Sequence, residues 1–155
     1  MLLKRLPRFK SGIDPALAFA GTLHINESFS QLERAYDQAL MGKIPEIIPA
    51  EMYCHSLTDP SILSSELQSQ GYQTLTLFGL HTPATAFDES NKVTTNEVLS
   101  RALAGLNGYL EEPIEEVLAY SKDGKPCIEA KSPLDLEADL FLPRGNIFHK
   151  DLALP

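Results

Sequence analysis

The sequence predicts an α+β domain: a mixed, mainly antiparallel sheet with two main helices packed on one face. Three observations carry this. Phe29 to Met41 and Thr95 to Leu110 repeat apolar residues at helical spacing. Glu46 to Ser56 alternates with a period of two, and Thr74 to His81 is dense in β-branched and aromatic residues. The order strand, helix, strand, strand, helix, strand pair, short helix groups the helices against sequential strands.

Leu2 to Leu6 reads as an edge strand ended by Pro7. Asp14-Pro15 then supplies an N-cap and a first-turn proline for one or two turns of helix, which Gly21 stops. Thr22 to Asn26 alternates as a short strand. For the first long helix, Ser28 with Gln31, or Ser30 with Glu33, forms a capping box, and Phe29, Leu32, Ala35, Tyr36, Ala39 and Leu40 share a face. Gly42 and Pro45 end it.

From Glu46 to Ser56, Ile48, Ala50, Met52 and Cys54 fall on one side and Glu51, Tyr53 and His55 on the other. Pro49 puts this strand at a sheet edge or delays its pairing. Thr58 to Ser61 is a turn. Thr74 to His81 is apolar on both faces, which predicts a central strand covered on both sides. Thr94 and Glu97 box the start of the second long helix, with Leu99, Ala102, Leu103, Leu106 and Leu110 as its stripe. Asp123-Gly124 joins Val117–Tyr120 to Cys127–Ala130 as a hairpin. Ser132-Pro133 caps a short helix to about Phe141, and Pro143 to Asn146 turns the chain.

Composition bounds the function. A chain of 155 residues, 43% apolar and 22% charged, makes one domain, 1–155, with a core that needs no staple. A net charge of −8 without a compensating basic cluster argues against nucleic-acid binding. No apolar run is long enough to span a membrane, and the N-terminus lacks a signal-peptide pattern. Cys54 and Cys127 form no CxxC pair, which fits a reduced, cytoplasmic setting.

Chemistry is thinly marked. His24, in a short strand beside Asn26, reads as structural or exposed. His55 and His81 end strands that could be neighbours, where ligand crevices commonly open, and His149 lies in a turn-rich segment. A zinc set from Cys54, His55 and Asp59 fails because adjacent strand residues face opposite sides, so no metal site is expected. The pairs Glu111-Glu112 and Glu115-Glu116 read as solvated faces. Tyr53 and His55, on one side of their strand, are expected to converge with His81 on an open concavity.

Six stretches carry a family resemblance: Leu3–Arg8, Ala20–Glu27, Ala50–Leu63, Thr74–Pro83, Pro126–Glu137 and Gly145–Leu152. Together they resemble, in order, the phytoene-dehydrogenase-like FAD-dependent oxidoreductases. The likeness implies a substrate domain as in flavin amine-oxidase-like enzymes. It lies between the dinucleotide-binding part and a glycine-rich stretch that returns to the flavin just after Pro155. Lys150 departs from the small residue expected after His149. No glycine-rich strand–turn–helix is present here, so the resemblance implies a fragment. FAD would belong to the full-length parent, with none bound to this piece, which would be inactive alone. Its partners would be the missing FAD-binding domain and a small hydrophobic substrate, with a homodimer left open. Substrate- or flavin-facing candidates are Tyr53, His55, His81, Asn146 and His149. The alternative is a stand-alone small-ligand-binding or interaction module without redox activity, derived by gene splitting.

Overall fold

The computed structural model describes residues 1–146. Along the chain run β1 (Leu2–Leu3), α1 (Pro15–Ala18), β2 (Leu23–Ile25), α2 (Phe29–Leu40), β3 (Ala50–Tyr53), α3 (His55–Thr58), α4 (Ser65–Ser69), β4 (Gln73–Thr74), β5 (Thr76–Gly79), α5 (Asn91–Asn107), α6 (Ile114–Val117) and α7 (Pro133–Leu140). This is an α+β fold, and every strand pairing is antiparallel.

The strands form two small sheets: β1 with β4, and a three-stranded sheet in the order β2-β3-β5. Thr74 to His81 is therefore not one covered central strand. Its first part pairs with β1 and its second lies at an edge, leaving Phe78 47% exposed. The division falls at Leu75, which is buried and donates no bond to β3; its N–H instead goes to the Met1 carbonyl at 3.0 Å. β3 takes the central place. Pairing starts just past Pro49, whose missing N–H would interrupt a ladder, and the Pro49 carbonyl still accepts from Leu80 N–H at 2.8 Å.

Alternation in β3 settles which side is core. Ile48, Ala50, Met52 and Cys54 are all buried, whereas Glu51 and Tyr53 are half-buried and His55 is exposed. Leu103 and Leu106 of α5 join Ile25, Ala50 and Met52 in one apolar cluster, so α5 covers the inner face. It starts at Asn91, four residues before the expected Thr95, and Ser90, not Thr94, holds the N-cap position.

The stripe on α2 behaves differently. Ala35 is buried, but Phe29, Tyr36 and Leu40 are 84%, 52% and 67% exposed. Helical spacing reports an apolar face without reporting what covers it. Ser28 stands at the N-cap of α2 without a side-chain cap bond. In contrast, Ser132 and Asp135 form a reciprocal capping box on α7.

Two polar assemblies tie the ends together. Glu112 is buried and accepts from Arg5 Nη1 at 2.7 Å, Arg8 Nη2 at 3.0 Å and Arg8 N–H at 3.2 Å, anchoring the N-terminal segment beyond the end of α5. This corrects the reading of Glu111-Glu112 as a solvated pair. Asp88 holds Arg144 by two bonds, of 2.9 and 3.0 Å.

Candidate functional site

The outer face of the β2-β3-β5 sheet carries the polar and aromatic side chains that β3 does not bury. Register places His24 opposite Glu51 and Glu51 opposite Phe78, one rung across all three strands. The next rung out of phase, Leu23–Met52–Leu77, belongs to the core side. Along β3, Tyr53 follows Glu51 on the outer face and donates its hydroxyl to Glu51 Oε2 at 2.7 Å. That bond is the main cause pushing the Tyr53 phenol above its ordinary value; a Thr22 hydrogen bond opposes it, and burial and the charges of Glu51 and Glu27 add to it.

His55 continues the alternation although it begins α3. Cys54 and Ser56 on either side are held inward: Ser56 Oγ donates to Gln73 Oε1 at 2.6 Å and accepts from Thr74 N–H at 2.9 Å, and Cys54 Sγ lies 3.6 Å from Ser56 Oγ. With its neighbours fixed, His55 projects outward. It stacks on Tyr53 with ring centroids 5.9 Å apart and planes 6° from parallel, and Phe78 meets Tyr53 edge-on at 5.6 Å. Three rings thus form one open aromatic surface.

His81 does not join them. It takes a left-handed backbone (φ 55°) just past β5 and lies edge-on to Tyr36 of α2 at 6.1 Å. The expected convergence of Tyr53, His55 and His81 is thereby reduced to the first two. Asn146 ends the described residues, following the turn of Pro143–Gly145, and is tied there by an interaction of its own. His149 lies outside the described residues. Cys54 is buried while His55 is exposed, and both Cys54 and Cys127 are free thiols.

Three residues outside the site candidates complete the face: His24, read as structural or exposed and found exposed, with Glu27 and Glu51. Asn26, in a left-handed conformation (φ 58°) and held by Tyr109 Oη at 2.9 Å, bends the chain after β2. The bend returns Glu27 to His24, whose Nδ1 donates to Glu27 Oε2 at 2.8 Å. Period two had already placed Glu51 beside Tyr53, but nothing local announced the return of Glu27.

On the other side of β5 lies a cavity of about 330 Å³. Leu75, Leu77, Phe87, Leu99, Leu103 and Leu136 form its apolar walls, between β5, α5 and α7. Two of the lining hydroxyls are already engaged, Thr82 donating to the Gly79 carbonyl and Thr95 to the Asn91 carbonyl. Lys131 at the rim is paired with Asp139 and Glu129. Such a space accommodates a compact apolar body.

The described residues contain no parallel strand–helix–strand unit. A parallel strand–helix–strand unit with a glycine-rich first turn is what brings pyrophosphate to a helix N-terminus. Here all pairings are antiparallel, and the glycines with positive φ stand singly at turns: Gly12, Gly42, Gly71, Gly124 and Gly145.

Comparison with known proteins places the chain inside longer relatives. It is 49% identical over its whole length to uncharacterized proteins of Mycobacterium tuberculosis and Mycobacterium bovis, spanning 29% of each. It is also 27% identical, over 97% of its length, to pyridine nucleotide-disulfide oxidoreductase domain-containing protein 2 of Rattus norvegicus, of which it spans 25%. The Mus musculus protein of the same name is 28% identical over the same share. No family model matches, and no solved structure matches. Among the described residues, no helix is long and apolar enough to cross a membrane.

Proposed function

We propose that this chain is the substrate-binding domain of an FAD-dependent oxidoreductase of the phytoene-dehydrogenase-like kind. The observation that carries the reading is the 330 Å³ apolar cavity between β5, α5 and α7, within the roughly 300–1,000 Å³ range of small-molecule sites. The names of the rodent relatives support the oxidoreductase part. So does the size of the Mycobacterium relatives, more than three times as long as this chain, which leaves room for a cofactor domain. In this division of labour the flavin supplies the redox chemistry and the cavity holds and orients an apolar substrate. The open Tyr53–His55–Phe78 surface would face the cofactor domain, with which this one would be partnered in a longer protein.

Binding of an apolar fluorescent probe such as N-phenyl-1-naphthylamine tests the cavity. The 155-residue chain is expected to bind one probe per molecule and no FAD, and Val98→Phe, which fills the cavity from α5, is expected to abolish probe binding with the fold intact. Probe binding unmoved by V98F would remove the cavity from consideration, and stoichiometric flavin on the isolated chain would overturn the division of labour. The competing reading, a stand-alone ligand-binding module, is favoured instead if the product of the native reading frame carries no flavin.

A further inference from the structure

We infer that His24, Glu27 and Glu51 form a binding site for a borderline divalent cation of the zinc class on the outer face of the β2-β3-β5 sheet. Each offers one ligand atom, and the three atoms lie within 4.8 Å of one another. Two of them are fixed by strand register, His24 directly opposite Glu51, and the third by the left-handed turn at Asn26. Zinc at about 2.0–2.1 Å from nitrogen and oxygen ligands holds them about 3.4 Å apart in a tetrahedron. A side-chain adjustment of about an ångström closes the set.

Charge and hydrogen bonding point the same way. Among the described residues, neither Glu27 nor Glu51 forms an ion pair with lysine or arginine, and Glu27 pairs only with the imidazole of His24. Glu27 Oε1 is buried without a hydrogen-bond partner, the one side-chain atom so placed among the described residues. A carboxylate oxygen withdrawn from water and left unpaired carries its desolvation cost uncompensated, and a bound cation removes that cost. Glu51 Oε2 is fixed by the Tyr53 hydroxyl, which orients the carboxylate and leaves Oε1 free to ligate. Metal-ligating carboxylates are usually held in this way by a neighbouring donor. One imidazole with two carboxylates suits zinc better than magnesium, which prefers an all-oxygen shell. Three protein ligands leave a fourth position for water or for a group of a bound molecule.

The test is calorimetric titration of the chelator-treated 155-residue chain with Zn²⁺ at neutral pH. One zinc per chain is expected. His24→Ala, Glu27→Gln and Glu51→Gln should each weaken binding by more than about tenfold, and Tyr53→Phe by about tenfold through loss of the orienting bond. Cys54→Ser and His81→Ala should leave affinity unchanged, and Mg²⁺ should give no saturable heat. Thermal unfolding of each variant without metal shows that it is folded; should one ligand variant fail to fold, the other two carry the test. Absence of zinc binding, or binding unmoved by H24A and E51Q, overturns the site. Magnesium binding as tight as zinc overturns the metal class.

Discussion

The rings of Tyr53 and His55 stack 5.9 Å apart and 6° from parallel, across the boundary between a strand and a helix. The contact survives that boundary because Cys54 and Ser56 stay inward, bonded to one another and, through Ser56, to Gln73 and Thr74. A buried polar clasp on one side of the chain therefore presents an aromatic surface on the other.

Because Tyr53 donates to Glu51, its phenol ionises above the ordinary range. Glu51→Gln removes the charge that penalises the phenolate and weakens the acceptor. The ionisation midpoint of Tyr53 is expected to fall back toward the ordinary value in that variant, followed by carbon-13 NMR of ring-labelled tyrosine. An unmoved midpoint would mean that the Tyr53–Glu51 bond does not form in solution.

Leu103 and Leu106 both line the inner side of α5, and Leu106 is fully buried. Leu106→Ala is expected to cost about 2–5 kcal/mol in denaturant unfolding. Phe29→Ala and Leu40→Ala on the exposed stripe of α2 should stay within about 0.5 kcal/mol. Equal losses at the two helices would contradict the placement of the core.

Ser132 is buried at the start of α7 and accepts from Asp135 N–H at 3.1 Å, while Asp135 accepts from Ser132 N–H at 2.9 Å. Removing the hydroxyl in Ser132→Ala should cost about 0.5–2 kcal/mol. Since Leu136 of this helix walls the cavity, the same variant should also weaken binding of an apolar probe. A variant of unchanged stability would show that the capping box contributes nothing in solution.

What could be read from the sequence follows from the range of each interaction. Period two on Ile48 to His55 named the buried and open sides of β3 correctly, because alternation depends only on the strand itself. The capping of α1 by Asp14 and of α7 by Ser132 is equally local. Sheet order was only partly legible: Pro49 suggested an edge or a late start of pairing, and the structure takes the late start, whereas Thr74 to His81, expected at a centre, splits between two sheets, since pairing depends on residues far apart in the chain. For the same reason the exposure of Phe29, Tyr36 and Leu40 was hidden, and so was the meeting of Glu27 with His24 and Glu51, which needs both a left-handed Asn26 and the β2–β3 register.

Glu112 links the ends of the domain in a way that acid should undo. Burial pushes its carboxyl upward, but hydrogen bonds from Arg5 and Arg8, the Arg8 backbone N–H and the Arg5 charge outweigh that and hold it at about 2, against an ordinary value of 4.5. A folded value below the unfolded one means that the unfolded chain binds the proton more tightly. Its contribution is therefore complete above about pH 4.5 and is lost as pH falls toward 2. The solvated arginines reduce the size of the effect, which should be of order 1–3 kcal/mol. Asp59, Asp88, Asp123 and Asp135 are also held below the ordinary range and weaken the fold in acid, so the comparison must be with a variant. Glu112→Gln is expected to be less stable than the wild type at pH 7. The gap between the two should narrow between pH 4.5 and 2, followed by urea unfolding at each pH. A gap independent of pH would mean that Glu112 acts through packing alone and that its arginine partners do not hold its charge.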